Sequence, residues 1–228
     1  MNSIREYLDR NLKKINFIRK INYNLKYYYK IFKKFLLNRE SLFVDLGANK
    51  GDVTQFIKDE FDCFTESYEP DKYTYKKLFK RFKNSKKNKT YNLGISKKNL
   101  KEKIYYHKKF ILNNFIYSQS SSFVRNKLNI DINNFKIVKT LPIKKLLKRY
   151  EHIDLLKIDI EGYEYEILDD IIKNKDKITY VLCELHGKPS KLTEKNKGKK
   201  NPFSLKYKRF KKKLRKKKLL NTWFFEWY

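Results

Sequence analysis

A glycine-rich turn between Val44 and Asp52 is the first segment of the sequence that could do chemistry. It reads Val-Asp-Leu-Gly-Ala-Asn-Lys-Gly-Asp, so an apolar strand ends near Asp45 and a Gly-x-x-x-Gly turn leads into a helix. Glycine lets the backbone approach a ligand closely, and a helix N-terminus offers N–H groups. The segment is neither a P-loop nor a strict Gly-x-Gly-x-x-Gly turn. Asp45 would repel a pyrophosphate and favours a cationic ligand; the alternative is an ordinary strand-to-helix turn.

An acidic residue ends the next predicted strand, in the sequence Tyr68-Glu69-Pro70. Glu69 follows Asp45 by 24 positions (69 minus 45). In nucleoside-binding α/β folds, an acid about 20 residues after the glycine turn accepts hydrogen bonds from ribose hydroxyls. A carboxylate can accept both of these bonds. A single Glu at a strand end is usually only solvated, but this spacing favours a ribose-binding role.

A third segment, from Leu155 to Glu164, carries charges inside an apolar strand. Strand periodicity places Lys157, Asp159 and Glu161 on one side. Buried charges are costly unless they are paired, so an ion pair or a ligand site is implied. The two acids lie toward the carboxyl end of the strand, where open α/β sheets bind ligands. The alternative is a structural Lys157–Asp159 pair, with the glutamates favouring the next helix N-terminus.

A fourth segment, from Val181 to Gly187, ends another apolar strand with Glu184 and His186. Both should reach the same crevice as Asp159, and histidine is a natural general base near neutral pH. His186 and Asp159 are therefore the two candidate bases, although a histidine at a strand end can also be structural or solvated. No His/Cys/Asp cluster has metal-ligand spacing, so no metal is predicted.

The elements that must position these residues alternate between strands and helices. Apolar stretches predict strands at about 41–46, 64–68, 90–93, 154–160 and 178–184. Helical patterns fall at about 52–60, 71–83, 142–149 and 163–174. This alternation predicts an α/β fold with a mostly parallel sheet and helices on both faces. Residues 97–140 interrupt it with strands at 103–107 and 136–140 and a polar loop at 117–122, which indicates a substrate-selecting lid or a decorated surface loop.

The two ends of the chain are basic. Residues 1–40 predict a basic amphipathic helical extension, which either docks on the domain or lies on a membrane surface or partner. Residues 41–228 predict one domain, with the motifs in 41–187. Its last part, 188–228, holds a lysine-rich connection at 188–201, a basic helix at 206–218 and a last strand at 222–228.

Composition limits the class of protein. The 228 residues carry a formal net charge of +31, and 40% are hydrophobic, which is enough for a core. The excess of lysine has two explanations. Either AT-rich codon bias produces it without any binding role, or the positive charge serves to attract phosphates in nucleic acid, nucleotide-sugars or anionic lipid. No apolar run is long enough to span a membrane, and the N-terminus is too polar for a secretory signal. Cys63 and Cys183 lie in apolar strands and predict buried thiols, which favours a cytoplasmic location.

Taken together, these motifs resemble those of the FkbM-type methyltransferase family. The resemblance covers about residues 41–187, and its pieces occur in the family's order: Val44–Gly51, Tyr68–Pro70, Asn92–Ser96, Ser118–Phe123, Leu156–Glu164 and Glu184–His186. The basic N-terminal helix and the lysine-rich C-terminal part carry no motif that aligns with the family, which leaves substrate choice open.

The resemblance implies a Rossmann-like class I methyltransferase fold, S-adenosylmethionine as the cofactor, and O-methylation of a sugar, glycan or metabolite hydroxyl. It also implies roles by position. Asp45, Gly47, Asn49 and Gly51 would line the methionine part of the cofactor, Glu69 would hold the ribose, Gly94, Ile95 and Ser96 would lie by the adenine, and Asp159, Glu161 and His186 would face the acceptor.

Two other functions remain open from the sequence. A nucleic-acid methyltransferase would explain the charge, but the chain lacks the Asn/Asp-Pro-Pro-Tyr motif of base amino methylation and the Pro-Cys nucleophile of carbon methylation. A non-catalytic binding protein with a basic face on the same fold is the other. The basic segments predict contact with a phosphate-bearing or membrane-surface partner in either case. The acceptor and the oligomeric state stay open.

Overall fold

The computed structural model describes residues 30–109, 120–187 and 203–227. The chain divides into two compact units, 1–36 and 37–228. Of the first unit only residues 30–36 are described, and 30–32 are helical. Most of the predicted N-terminal helix, the first three residues of the loop at 117–122 and the connection at 188–201 therefore lie outside the described residues.

The larger unit is built on two sheets. Within the described ranges its strands are β1 (Leu42–Leu46), β2 (Phe64–Tyr68), β3 (Asn88–Tyr91), β4 (Gly94–Ser96), β5 (Lys101–His107), β6 (Ile130–Pro142), β7 (Ile153–Ile158), β8 (Ile178–Cys183) and β9 (Phe224–Glu226). The main sheet has the order β3-β2-β1-β7-β8-β9, and every pairing in it is parallel. The predicted strands of the main sheet are confirmed to within a few residues, and the last strand is shorter than the predicted 222–228.

The helices connect these strands and cover the sheet. They are α1 (Asp52–Phe61), α2 (Lys72–Phe82), α3 (Ile143–Leu147), α4 (Glu164–Lys173) and α5 (Ser204–Lys216). The chain runs outward in one direction from β1 to β3 and in the other from β7 to β9. Because parallel crossovers are right-handed, α1 and α2 are expected on one face of the sheet and α4 and α5 on the other. None of the described helices is long and apolar enough to cross a membrane.

The centre of the main sheet is apolar on both faces. Phe43 and Val44 are neighbours in β1, so they point to opposite faces, and both are fully buried; Leu155 and Leu156 in β7 behave in the same way. Burial on both faces is what helices on both sides of a parallel sheet produce. The predicted fold class, α/β with a mostly parallel sheet and helices on both faces, is confirmed. Cys63 and Cys183 are buried free thiols, as predicted.

The interruption at 97–140 forms a small second sheet of order β4-β6-β5. β5 and β6 pair antiparallel, while β4 runs parallel to the end of β6. Both strands predicted in this region are confirmed, but β6 is 13 residues long and starts well before the predicted residue 136. Beyond β5, Ser122 forms a bridge to Tyr105, so the insertion is tied to its own hairpin.

Candidate active site

The candidate site lies at the carboxyl ends of three adjacent strands, β1, β7 and β8. Asp45 lies opposite Lys157, and Ile158 lies opposite Cys183. The residues that follow, Asp159 and Glu184, therefore leave the sheet at the same level. Parallel strands bring their carboxyl ends to one edge, which is where α/β sheets bind ligands.

A buried ion pair forms the floor of this edge. Asp45 is fully buried, and its Oδ1 lies 2.9 Å from Lys157 Nζ. Its Oδ2 accepts a hydrogen bond of 2.9 Å from the Thr54 hydroxyl. Burial disfavours the Lys157 ammonium, but the carboxylates of Asp45 and Asp159 outweigh this and raise its pKa. In this structure the cation paired with Asp45 is thus Lys157. Because Asp45 is fully buried, its predicted attraction to a cationic ligand would act through the glycine turn, without direct contact.

The glycine turn uses its own N–H groups internally. The bonds are Gly47 N and Ala48 N to Tyr68 O (3.0 and 3.1 Å), Asn49 N to Glu69 Oε2 (3.0 Å), Lys50 N to Asn49 Oδ1 (2.9 Å) and Gly51 N to Ala48 O (2.9 Å). The sequence suggested that N–H groups here would face a ligand. Instead three of these bonds hold the turn against the end of β2 and the other two lie within the turn, an arrangement that suits a cationic ligand better than an anion.

Glycine is required at both ends of the turn. Gly47 has φ +80°, and a Cβ there would lie 1.8 Å from the backbone oxygen of Asp159. Gly51 has φ +84°, and a Cβ there would lie 2.6 Å from the Phe82 ring. Both φ values are in the left-handed region that favours glycine. Gly47 therefore lets β1 and the end of β7 touch, and Gly51 lets α1 begin against α2.

Glu69 has the environment expected of a ribose-binding acid. It is 7% exposed, and its two oxygens accept N–H bonds from Asn49 (3.0 Å) and Asp71 (2.9 Å). Each oxygen keeps a second lone pair for a hydroxyl donor. Burial raises the pKa of Glu69 to about 8. Two added hydroxyl donors would favour the charged form, so the donor set fits a ribose.

The predicted adenine segment is shaped by Phe123, an aromatic side chain at the end of the Ser118–Phe123 motif for which the sequence indicated no role. Ser96 is fully buried and donates its hydroxyl to the backbone oxygen of Asn99 at 2.5 Å, so its side chain points inward. A Cβ on Gly94 would lie 2.5 Å from the Phe123 ring. Phe123 also meets Tyr163 edge-to-face, with centroids 5.5 Å apart. The insertion thus supplies part of the wall beside Gly94.

His186 lies between two glutamates and pairs with both of them. Its Nε2 lies 3.2 Å from Glu161 and its Nδ1 lies 3.1 Å from Glu164. Burial lowers the pKa of His186, but the bonds to these glutamates outweigh burial and raise it to about 10. The side chain is therefore an imidazolium near neutral pH. A protonated ring cannot accept a proton, so the structure argues against His186 as the general base.

Glu161 connects the insertion to the site. Its side chain pairs with Lys127 as well as His186, and its backbone oxygen accepts a hydrogen bond of 2.7 Å from the Ser122 hydroxyl. Burial opposes its charge, but His186 and Lys127 outweigh burial and lower its pKa. Glu161 has φ +58°, an uncommon conformation for a residue other than glycine. Ser122 lies in the serine-rich Ser118–Phe123 motif and Lys127 lies in no motif, and the sequence indicated no role for either side chain.

Asp159 is the remaining candidate base. Its side chain is 27% exposed, and Oδ2 lies 3.7 Å from Lys157 Nζ. Its Oδ1 is buried and has no hydrogen-bond partner among the described residues. Burial raises the pKa of Asp159, and the neighbouring ammonium of Lys157 partly opposes this. The structure thus brings Asp159, Glu161 and His186 together, as the sequence predicted.

The raised pKa of His186 makes stability depend on pH. Its pKa rises from 6.5 to about 10 on folding, so its stabilisation is fully present below pH 6.5 and is lost as the pH approaches 10. We expect the free energy of unfolding to fall across this window in the wild type and to fall less in His186→Gln. Urea unfolding at pH 6, 8 and 10 measures it. If the free energy of unfolding changed with pH in the same way in both proteins, His186 would not be an imidazolium paired with the two glutamates.

Comparison with known proteins identifies a family. The family model described as "Methyltransferase FkbM domain" matches residues 45–200, which is more than half of the chain. Comparison with curated proteins finds no match.

Two solved structures show only a partial likeness. The apo form of mycolic acid cyclopropane synthase CmaA1 has 14% identity and a TM-score of 0.29, covering 31% of this chain and 27% of that one. Cyclopropane synthase MmaA2 from Mycobacterium tuberculosis has 18% identity and a TM-score of 0.27, covering 34% and 26%. The match spans about a quarter of the length of each synthase.

Proposed function

The chain belongs to the FkbM methyltransferase domain family, and on that premise we propose that it is an S-adenosylmethionine-dependent methyltransferase acting on an oxygen atom. The proposed acceptor is a hydroxyl group of a sugar, glycan or metabolite. The observation that carries this proposal is the position of the Asp159 carboxylate, which is partly exposed at the carboxyl edge of the sheet next to the glycine turn.

The charges of the site support a cationic cofactor. S-adenosylmethionine, when bound, supplies a methyl group carried on a positively charged sulfur. The described residues at this edge include the carboxyl groups of Asp45, Asp159, Glu161, Glu164 and Glu184 and the cations Lys127, Lys157 and His186. An edge rich in carboxyl groups on a chain of net charge +31 is a local environment that attracts cations. Glu69 would hold the ribose.

The acceptor side supports oxygen chemistry. An alcohol is a poor nucleophile until a base takes its proton, and Asp159 is the carboxylate placed to do so. Glu161 and the His186 imidazolium would line the acceptor and orient it. Lys127 and Ser122 of the insertion both contact Glu161 and hold it in position. Alignment and exclusion of water are then the main contributions of the protein to the rate.

Calorimetric titration with S-adenosylmethionine tests the proposal. We expect Glu69→Ala to weaken binding by ~1–3 kcal/mol, the usual loss for hydrogen bonds to a charged group. Because the pKa of Glu69 is about 8 in the unliganded protein and hydroxyl donors favour its charged form, binding at pH 8 should release protons. The release appears as a dependence of the measured heat on the buffer, and Glu69→Gln should abolish it.

A cofactor analogue without ribose hydroxyls is the control for this titration. Its affinity should be insensitive to Glu69→Ala, because the group that Glu69 would bind is absent. If the losses from the variant and from the analogue simply add, Glu69 does not hold the ribose. If the folded wild type does not bind S-adenosylmethionine at all, the cofactor proposal fails.

A second proposal concerns an anionic partner, and helix α5 favours it. The exposed side chains of this helix are nearly all basic: Lys206, Lys208, Arg209, Lys212, Arg215 and Lys216, with Leu205 beside them. Such a face would attract the phosphate groups of an acceptor, a nucleic acid or a membrane surface. Attraction of this kind weakens with added salt, and the salt dependence of binding therefore distinguishes it from recognition within the crevice.

A further inference from the structure

We propose that Glu184 keeps a proton that it shares with Asp159, and that this hydrogen bond positions the Asp159 carboxylate for the acceptor hydroxyl. Glu184 is then a positioning residue, and the acid pair, not His186, handles the proton. The hydrogen bond between the two acids requires neither a cofactor nor an acceptor. Its use on an acceptor rests on the function proposed above.

The backbone places the two carboxyl groups side by side. Ile158 in β7 lies opposite Cys183 in β8, and Glu184 N donates to Ile158 O at 2.9 Å. Asp159 and Glu184 are the next residues on each strand. Side chains at matching positions of neighbouring parallel strands leave the same face of a sheet, so the two carboxyl groups are neighbours, and each shifts the pKa of the other.

The buried oxygen of Asp159 needs a hydrogen-bond donor. Its Oδ1 has no hydrogen-bond partner among the residues that the structure describes. The nearby Lys157 ammonium lies 3.7 Å from Oδ2 and makes its shorter contact, 2.9 Å, with Asp45. Two adjacent carboxylates repel each other, so one of them retains a proton. A protonated acid facing a carboxylate makes a strong, charge-assisted hydrogen bond.

The surrounding charges decide which acid holds the proton. Burial raises the pKa of Asp159 as well, but the Lys157 ammonium and the hydrogen bond from Glu184 oppose this and favour its charged form. Burial and the charge of Asp159 raise the pKa of Glu184 to about 8, and the His186 imidazolium opposes this only in part. The other charged groups nearby are already paired: Glu161 with Lys127 and His186, Glu164 with His186, and Glu226 of β9 with Lys211.

Near neutral pH the two acids therefore have different protonation states and different roles. Glu184 is neutral and donates, while Asp159 is ionised and keeps a second lone pair on each oxygen for the acceptor hydroxyl. Above about pH 8 Glu184 ionises, the shared hydrogen bond is lost, and repulsion displaces the Asp159 carboxylate. Turnover should therefore decline on the alkaline side.

Infrared difference spectroscopy tests the shared proton without any substrate. The C=O absorption of a protonated carboxylic acid should be present at pH 6.5 and should disappear around pH 8. Glu69 also titrates near pH 8, so Glu69→Gln serves as the background protein. The band should remain in Glu69→Gln and vanish in the double variant with Glu184→Gln. An unchanged spectrum in the double variant would overturn the proposal.

The pH dependence of turnover tests the positioning role. The amide of Glu184→Gln is a hydrogen-bond donor at every pH, so this variant should keep most of the wild-type turnover at pH 7 and lose the alkaline decline. Glu184→Ala has no donor and should be slower by about tenfold, the effect of one lost charge-assisted hydrogen bond. If Glu184→Gln were as inactive as Asp159→Asn, the positioning role would be wrong. If the protein instead showed the titrating C=O band but no methyl transfer, that result would support the acid pair and contradict the proposed function.

Discussion

Asp159→Asn is expected to lower turnover by about 10²–10⁴-fold, the usual contribution of a positioned acid or base, while the affinity for S-adenosylmethionine changes far less. The substitution preserves the shape of the side chain and removes its charge. The amide cannot take a proton from an acceptor hydroxyl. Single-turnover kinetics with a saturating acceptor measure the effect on the chemical step.

The folded state should survive this substitution. From the sequence alone, a structural Lys157–Asp159 pair predicted that Asp159→Asn would leave a buried lysine without a partner. The structure gives Lys157 a closer partner in Asp45, at 2.9 Å against 3.7 Å, so most of its compensation remains. A variant with a lowered melting temperature but near-normal methyl transfer per folded molecule would refute the catalytic role of Asp159.

Lys157→Met is expected to have the largest effect on stability, a loss of about 3–5 kcal/mol, because it removes one partner of a buried ion pair. Asp45 is fully buried, and among the described residues its carboxylate would keep only the Thr54 hydroxyl as a donor from a side chain. A loss of this size is a large part of the 5–15 kcal/mol that stabilises a typical domain. Urea unfolding measures it.

A double variant shows whether charge is the cause. Asp45→Asn combined with Lys157→Met removes both charges and should recover much of the stability, since the carboxylate that lacked a partner is gone. Lys206→Met is the matched surface control. Lys206 is half-exposed and pairs with Glu166, so its loss should cost below about 1 kcal/mol. Equal destabilisation of the single and double variants would show that lost packing, not charge, is responsible.

Several features of the site could be predicted from the sequence because their signals are local. The Gly47-x-x-x-Gly51 turn required glycine at both ends, and both residues have positive φ. Glu69 was identified by its distance from Asp45 along the chain, since the length of one strand–helix–strand unit sets that distance. Asp159 and His186 were identified because each lies at the carboxyl end of an apolar strand, and adjacent parallel strands end at one edge.

The chemical states of these residues could not be predicted, because they depend on partners distant in sequence. Asp45 and Lys157 are 112 positions apart, and only the pairing of β1 with β7 brings them together. His186 was one of two candidate bases in the sequence, and contacts with Glu161 and Glu164 raise its pKa to about 10. A residue type indicates which protonation states are available, whereas burial and neighbouring charges select one of them.

What the sequence determined by itself is the order of elements, the α/β class and the set of residues at the carboxyl edge, because hydrophobic periodicity and turn chemistry operate over short stretches. What only the tertiary structure decided is which of those residues face each other. Lys127 and Ser122, both in the insertion, hold Glu161, and register alone sets Glu184 beside Asp159. Contacts between segments far apart in the chain depend on how the sheet is assembled, and local patterns carry little information about that.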